Sequence, residues 1–370
     1  MKFKIDSKDL RNLFSSVSRA VNPKPSVPSL QGVYIEAKEK ELVLIGSDLD
    51  LIIKAKKPLK IEIEGECLVN ARIASEVVRK LPSGEVVVSD VGEELRIETG
   101  SLSFNLRKLD EKQYPKEIIK EELFEEGVEF FEKEELFEAI NQVGVAAAQE
   151  GSTPVLTGIL FDSKEGKTKL VATDSYRLAS KELVDFPVKD LGVVSKKALS
   201  EVVRLFEERE TKVGVVVRER EVFFDDGVYQ ASLRKIEGDY PKHKDLFPKE
   251  TVFSIETEKD KIMEALDRSS VVAEGYIPIK ISFSKDSLKI TSINQDIGGG
   301  KEEVPCKFLG VDIKEVEKFE MSFNPTYLME AISVLVGGRV YFRFSGNQKP
   351  LLIQGETDNY QHLLMPVRSD

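Results

Sequence analysis

The sequence predicts an α+β protein made of three tandem copies of one domain, each with two helices and antiparallel sheets. A helix-like segment recurs at intervals of 126 residues, beginning at Asp6, Glu132 and Glu258. A strand and turn segment repeats in the same register and places Asp48 and Asp174 at equivalent positions. Each copy is long enough to bury its own core, so we expect domains at residues 1–120, 121–248 and 249–370.

The first helix of each copy follows an acidic or serine-containing start, which predicts a capped helix N-terminus. Apolar residues then recur at spacings of three and four, as at Leu10, Leu13 and Val17 of the first copy. This spacing places them on one face of a helix. We therefore expect that face to pack in the domain core.

The second helix of each copy lies in a segment that predicts a strand end, a helix, a turn and a further strand. These segments begin at Val69, Val194 and Phe323. Apolar and polar residues alternate between the helices, as in residues 33–46, and this alternation predicts antiparallel strands. Each copy should therefore hold two sheets, with two short helices covering their buried faces.

Composition limits the class of protein. A net charge of -11 and a pI near 5.1 argue against a simple basic nucleic-acid binder, although an average can hide a positive inner surface. Cys67 and Cys306 lie far apart and outside any CxxC spacing, so we expect neither disulfides nor a zinc site. Apolar runs stay well below the roughly 18 residues of a membrane span, and the charged N-terminus does not fit a signal peptide. A cytoplasmic protein without membrane contact, metal or cofactor is expected.

An enzyme is the first alternative, with Asp48 and Asp174 as its best candidates for acid and base chemistry or for Mg²⁺ binding. An aspartate between a strand and a loop is more often a turn residue that accepts backbone N–H groups. His243 and His362 lie in no triad or metal-ligand spacing. The glycine-rich residues 296–303 lack the ending of a phosphate-binding loop. We therefore predict no catalytic residue.

Four separated motifs carry a resemblance to a known family: the opening MKF, VATDSYRLA at 171–179, DYPKHKDLFP at 239–248 and HLLMPVR at 362–368. Together they resemble the bacterial DNA sliding clamp, the beta subunit of the replicative DNA polymerase, over essentially the whole chain. The resemblance implies a head-to-tail homodimer, closed into a six-domain ring around duplex DNA. It also implies partners, namely the clamp loader and the replicative and repair polymerases. A scaffold that binds partner peptides and never meets DNA is the second alternative.

Helix dimensions make such a ring plausible. Twelve helices at about 9 Å between neighbouring axes form a circle roughly 34 Å across. One helix diameter of about 10 Å leaves an opening of roughly 24 Å, which admits a duplex and a thin layer of water. Because such a ring holds DNA by topology, it needs only weak contacts, and an acidic net charge is compatible with it.

Basic side chains fall in or beside the repeated helices. The resemblance implies that Lys24, Arg72, Lys196 and Lys197 face DNA, whereas a solubilising role on an exposed face is the alternative. The predicted DNA-binding residues are Lys24, Arg72, Arg79, Lys196, Lys197, Arg204 and Arg268. At Pro154 and Val155 the sequence departs from the aromatic pair of the family, so stacking on single-stranded template is not expected there.

Ring closure needs two unlike surfaces, because a head-to-tail contact is heterologous. The resemblance implies that an edge strand at residues 101–109 pairs with one at residues 301–308 of the partner. Exposed charges that protect the edge strands are the alternative. The predicted interface residues are Arg107, Lys108, Val271, Val272, Glu302 and Glu303.

The C-terminal segment is too apolar for a solvated tail, although chain termini are often disordered. The resemblance implies a peptide-binding groove built from this tail, residues 171–179 and the loop after Tyr240-Pro241. Ser175-Tyr176 and Asp245 depart from the family pattern at the rim. We expect removal of residues 364–370 to abolish binding of polymerase-derived peptides and to leave the dimer and its melting temperature nearly unchanged. The predicted groove residues are Leu156, Thr173, Ser175, Tyr176, Arg177, Leu178, Pro241, Leu246, Asn324, Tyr327, Leu363, Met365, Pro366, Val367 and Arg368.

Overall fold

The computed structural model describes residues 1–110, 112, 114–115, 128–164, 166–184, 186–189, 191–273, 277–294, 296, 298–309, 316, 319–357 and 359–367. The chain divides into two compact units. Unit 1 comprises Met1–Glu134 and Lys197–Lys235, and unit 2 comprises Glu135–Lys196 and Ile236–Asp370. Each unit therefore combines segments from more than one predicted domain.

Two α-helices occur in each of the three predicted copies, within the part of the chain that the structure describes. This confirms the predicted number and positions of the helices. Their bounds are α1 (Ser7–Val17), α2 (Ala71–Arg79), α3 (Lys133–Gly144), α4 (Lys196–Phe206), α5 (Lys259–Val272) and α6 (Pro325–Ser333).

Side-chain caps begin some of these helices. The Asp6 carboxylate accepts the backbone N–H of Lys8 at 2.8 Å at the start of α1. Glu258 precedes α5 without capping it, and its carboxylate instead accepts from Lys261 Nζ at 2.9 Å. The predicted cap is therefore confirmed for α1 and wrong for α5. Short Asp side chains suit the cap position, whereas the longer Glu side chain reaches the first turn more readily.

Unit 1 contains two antiparallel sheets. One has the strand order β5-β1-β7-β8-β9, and the other has the order β10-β15-β16-β17-β4-β3-β2-β6. Numbered in chain order, the strands of unit 1 are β1 (Lys2–Asp6), β2 (Gly32–Lys38), β3 (Glu41–Ser47), β4 (Leu51–Pro58), β5 (Ile61–Ile63), β6 (Gly65–Asn70), β7 (Glu85–Val91), β8 (Glu94–Thr99), β9 (Leu102–Arg107), β10 (Glu129–Phe131), β15 (Val213–Val217), β16 (Glu221–Asp225) and β17 (Tyr229–Arg234).

The strands of unit 2 form one twelve-stranded antiparallel sheet in the order β14-β11-β12-β13-β25-β24-β23-β18-β21-β20-β19-β22. The predicted antiparallel sheets are thus confirmed in both units. The strands of unit 2 are β11 (Gly158–Lys164), β12 (Lys167–Thr173), β13 (Arg177–Leu183), β14 (Gly192–Ser195), β18 (Phe253–Glu258), β19 (Ile279–Ser284), β20 (Ser287–Asn294), β21 (Gly298–Leu309), β22 (Met321–Phe323), β23 (Arg339–Phe344), β24 (Leu351–Gln354) and β25 (Tyr360–Leu364).

The apolar face predicted for α1 packs in the hydrophobic core. Leu10, Leu13 and Val17 are at most 3% exposed, and Phe14 joins them at 1%. Burial of one such side chain contributes about 1.5–3 kcal/mol, so these four side chains stabilise the packing of the helix on its sheet. Both cysteines are free. Within the described segments, no helix has the length and apolar character needed to cross a membrane.

The two repeated aspartates are turn residues. Asp48 Oδ1 accepts the backbone N–H groups of Asp50 and Leu51 at 3.1 and 2.8 Å. Asp174 makes the same pair of bonds to the residues two and three positions ahead, at 2.9 and 3.0 Å. This confirms the structural interpretation of both residues, because their carboxylates are occupied by the turns that join neighbouring strands.

Candidate peptide-binding groove and nucleic-acid interface

An apolar cluster in unit 2 forms the floor of the predicted groove. Leu178 of β13, Leu363 of β25 and Leu352 of β24 lie opposite one another across three neighbouring strands, and Val171 of β12 packs with them. The sequence motifs at 171–179 and 362–368 therefore meet because β13 pairs with β25. Half-buried side chains pack against this floor at Leu160, Tyr240 and Phe247.

The C-terminal tail is bound to unit 2 as far as residue 367. The backbone N–H of Met365 donates to the carbonyl of Tyr176 at 2.9 Å, and that of Val367 donates to Ser322 at 2.7 Å. Leu364 is only 1% exposed. Removal of residues 364–370 would therefore expose core and break strand pairing, contrary to the unchanged melting temperature expected from the sequence.

The predicted groove residues fall into a buried set and an exposed rim. Thr173, Leu178 and Leu363 are at most 8% exposed. Tyr176 at 65%, Leu246 at 54% and Met365 at 42% are among the large apolar side chains that unit 2 leaves open to solvent. Of the remaining predicted members, Leu156 is buried, Asn324, Tyr327 and Pro366 are half-buried, and Ser175, Pro241 and Val367 are exposed, while Arg368 lies outside the described residues.

Arg177 is held by three neighbours in unit 2. Its Nε donates to Asp174 Oδ2 at 3.0 Å, an Nη atom donates to Glu330, and the guanidinium lies 4.0 Å from the ring centre of Tyr327. Arg177 is 8% exposed, so most of its donors face the protein. It therefore fixes the turn after β12 to α6, and its position shapes the groove. Glu330 is not among the predicted groove residues, because nothing in the sequence distinguishes it from other helix-surface glutamates.

A buried polar layer lies behind the groove. Tyr360 Oη lies 3.0 Å from Nδ1 of His362 and donates to the carbonyl of Gln142 at 3.2 Å. Complete burial lowers the pKa of His362 to about 3, with a smaller contribution from the charge of Arg177. His362 is thus a neutral core residue.

Basic residues of unit 1 surround a groove between α1 and α2. This groove has a volume of about 810 Å³ and is lined in part by Arg11, Arg72 and Arg79. Arg72 and Arg79 are exposed, as is Lys24 in the loop before β2. Two of the predicted DNA-binding residues therefore share one concave surface, and Arg11 joins them.

The first turn of α4 begins with Lys196 and Lys197 and contains no acidic residue. Cations at this end of a helix oppose the helix dipole, at a cost of roughly 0.3–1 kcal/mol each. The same end attracts anions, because its backbone N–H groups are not bonded within the helix. This turn therefore combines two features that favour a phosphate group. Further along α4, Arg204 pairs with Glu201 at 2.7 Å.

The predicted interface strand of unit 1 is an edge strand. β9 is the last strand of its sheet and carries Leu102 and Phe104 at 42% and 38% exposure. Arg107 is exposed, with Glu93 at 4.0 Å, whereas Lys108 Nζ is engaged within the unit by Asp90 at 2.9 Å. Arg107 is therefore the more available of the two cations. Leu102 and Phe104 are not among the predicted interface residues, although their alternation along the strand indicates that they share one face of it.

The predicted interface strand of unit 2 has one open edge over part of its length. Residues 298–305 of β21 pair with β20, and only residues 306–309 pair with β18. Val271 at 74% exposure and Ile293 at 66% lie on the elements beside it, α5 and β20. Val272 is half-buried.

Both predicted acidic residues of β21 already have cationic neighbours. Glu302 pairs with Arg268, and Glu303 lies 3.5 Å from Lys289. A charged contact with a partner chain would therefore replace or share these pairs.

Comparisons with known proteins identify the family of this chain. The N-terminal, central and C-terminal domain models of the DNA polymerase III beta subunit match residues 1–118, 131–242 and 244–368. The beta sliding clamp of Staphylococcus aureus is 28% identical over 390 residues, with both chains covered completely. The sliding clamp of Bacillus subtilis superimposes with a TM-score of 0.89 at 27% identity, also over the whole of both chains.

A C. crescentus beta sliding clamp, 26% identical with a TM-score of 0.89, covers 100% of this chain and 99% of its own. That crystal structure has PEG bound to a region assigned to beta-motif tethering. The matches agree along the full length of the sequence and in the order of the three domains. The chain belongs to the DNA polymerase III beta subunit family, the non-catalytic sliding clamps of the replicative polymerase.

Proposed function

We propose that two copies of this chain close head to tail into a ring that encircles duplex DNA and tethers DNA polymerases to it. The observation that carries this proposal is the match of three beta-subunit domains, in order, to residues 1–118, 131–242 and 244–368. We place the domains at residues 1–120, 121–248 and 249–370. A scaffold that never meets DNA would not need the basic groove between α1 and α2 or the lysines that begin α4.

Contact with DNA rests on the helices. The six α-helices in the described part of each chain give twelve in a dimer, and twelve helices enclose an opening of roughly 24 Å. Arg72, Arg79, Lys196 and Lys197 would meet phosphates rather than base edges, so binding would be independent of sequence and sensitive to salt. The net charge of -11 then limits adhesion and favours sliding.

Ring closure rests on two unlike edges. β9 of one chain, with Leu102 and Phe104, would extend the open half of β21 in the other, beside Val271 and Ile293. Apolar side chains would form the centre of this contact, and Arg107 would face the acidic residues of β21 at its rim.

Tethering rests on the groove of unit 2. A partner peptide with leucine and phenylalanine anchors would cover the exposed side chains of Leu246 and Met365 and reach the floor at Leu178 and Leu363. Two anchors at about 1.5–3 kcal/mol each, with backbone hydrogen bonds, would support micromolar binding, about -8 kcal/mol. This affinity permits exchange of clamp loader, replicative polymerase and repair polymerases at one site.

Solution mass combined with small-angle scattering tests the assembly. We expect twice the chain mass of 41.6 kDa at micromolar concentration. The distribution of interatomic distances should be that of a particle with a central opening. A monomer, or a compact dimer without an opening, would contradict the proposal.

A further inference from the structure

A second pocket adjoins the groove in unit 2. Its volume is about 360 Å³, at the lower end of the range of about 300–1,000 Å³ for small-ligand sites. Leu160, Asp162 and Lys164 of β11 line one side, and residues 240–245 line the other. Only Pro241 is shared with the predicted groove, so the pocket extends that groove.

The sequence repeat supplies a counterpart of this pocket in unit 1. Tyr114 and Tyr240 are 126 residues apart and make equivalent hydrogen bonds. The hydroxyl of Tyr114 donates to the carbonyl of Ile45 at 3.2 Å, and that of Tyr240 donates to the carbonyl of Val171 at 3.4 Å. Ile45 and Val171 are themselves equivalent positions. The two tyrosines are therefore held in the same way in two copies of the domain.

The copies differ in what covers the tyrosine ring. In unit 1, Tyr34 stacks on Tyr114 with ring centres 5.6 Å apart and planes 13° apart, and both residues are 4% exposed. The position equivalent to Tyr34 in unit 2 is Leu160. Leu160 and Tyr240 are both only half-buried, and the pocket opens beside them. The smaller side chain thus leaves open the space that an aromatic ring fills in unit 1.

The charges around the pocket favour an anion beside that ring. Asp162 accepts from Lys244 Nζ at 3.0 Å and lies 3.4 Å from Nε2 of His243. Burial acts to raise the pKa of Asp162, but the hydrogen bond and charge of Lys244, together with the charges of Lys164 and His243, outweigh it, so the pKa is lowered and the carboxylate stays ionised. Lys164 and Lys242 are exposed at the mouth. Three lysines therefore line the pocket against two carboxylates, Asp162 and Asp245.

The ring of Tyr240 is fixed for such a contact. His243 is 9% exposed and meets Tyr240 edge to face, with ring centres 6.5 Å apart and planes 77° apart. A stacking partner that is already ordered reduces the entropy lost on binding.

We propose that this pocket is an additional subsite for partner peptides, which takes an aromatic side chain beside Tyr240 and an adjacent carboxylate at Lys164 and Lys242. The inference rests on the proposed tethering function and adds to it a preference for an aromatic and acidic residue next to the anchors. In unit 1 the equivalent space is filled by Tyr34 of the chain itself, so of these two copies the second has the open subsite and the first does not.

Titration calorimetry on the full-length protein tests the subsite with three synthetic peptides. The first carries only leucine and phenylalanine anchors, and the other two add Asp-Phe before or after them. An aromatic pair contributes about 0.5–1.5 kcal/mol, so one extended peptide should bind roughly two- to tenfold more tightly than the first. Leu160→Tyr, which reproduces the filled copy, should remove this advantage, measured as the ratio of the affinities of the extended and the first peptide for the same variant. Leu160→Met keeps the volume and should retain the advantage.

Exposed-residue variants provide a second readout that does not depend on core packing. Lys164→Glu with Lys242→Glu should reverse the preference for the acidic extension. The subsite is rejected if neither extension improves binding to the unaltered protein, or if the advantage survives both Leu160→Tyr and the charge reversal. Failure of the first peptide to bind at all would instead reject the groove, and the subsite with it.

Discussion

Arg268 and Glu302 form a bidentate ion pair, with distances of 2.9 Å from Nε to Oε1 and 3.1 Å from Nη2 to Oε2. The hydrogen bond from Arg268 lowers the pKa of Glu302, so the carboxylate is ionised at neutral pH. The pair connects a residue predicted to meet DNA with one predicted to meet the partner chain. Each charge therefore reduces the other's availability.

Removal of the carboxylate should release the arginine. Glu302→Gln is expected to strengthen binding to short duplex DNA at low salt, since Arg268 then keeps only the longer contact of 3.7 Å with Glu264 and is more available to phosphate. Glu303→Gln removes the same charge and leaves the Arg268 pair intact, so it should have a smaller effect. Fluorescence anisotropy at 50 mM salt compares them, and equal effects of the two variants would exclude a role for Arg268.

The lysines that begin α4 should contribute to salt-dependent DNA binding. Lys196→Ala with Lys197→Ala is expected to weaken open-DNA binding and to lower the slope of log affinity against log salt by up to about 1.8. The matched control is Lys38→Ala with Lys40→Ala, which removes equal charge at the turn between β2 and β3. An unchanged slope in the α4 variant, or an equal loss in both, would contradict the assignment.

The valines at the end of α5 should belong to the ring contact. Val271→Asp with Val272→Asp places two charges in an apolar seam, so the dimer should dissociate at micromolar protein. Val184, which is 63% exposed elsewhere in unit 2, provides the control Val184→Asp. Light scattering distinguishes the outcomes. A dimer that persists in the double variant would show that the interface does not include the end of α5.

Substitutions at the groove rim should weaken peptide binding without lowering the stability of the fold. Leu246→Ala with Met365→Ala is expected to weaken binding of a polymerase-derived peptide at least tenfold, because both side chains offer apolar area to the ligand. Stability should change by less than about 0.5 kcal/mol per substitution, since both residues are exposed. Val252→Ala, at a site 59% exposed, is the control. Full affinity of the double variant would place the peptide elsewhere.

The repeat explains how much of the fold could be predicted. Equivalent positions share backbone geometry even where their side chains differ: φ is 80° at Leu49 and 77° at Ser175, in matching turns. A leucine in this left-handed region is costly, so the turn rather than the local residue preference sets the conformation. Periodicity and repeat spacing thus predicted helices, strands and turns together.

Side-chain partners were less predictable. Arg177 and Glu330 are 153 positions apart. Lys108 directly follows β9, whereas its partner Asp90 lies on β7, which is not adjacent to β9 in the sheet. Such pairs depend on which elements the fold brings together. The sequence therefore placed Arg177 in the groove but could not show that Asp174 and Glu330 already hold it.

Topological retention on DNA tests whether the protein encircles the duplex. The protein is loaded onto a nicked circular duplex by a clamp loader and separated from unbound protein by gel filtration. The circle is then cut once, and the fraction still bound is measured before and after cutting. A ring should remain on the circle at high salt and leave the linear product by sliding off its ends. Retention on the linear DNA, or failure to remain on the circle, would contradict the account.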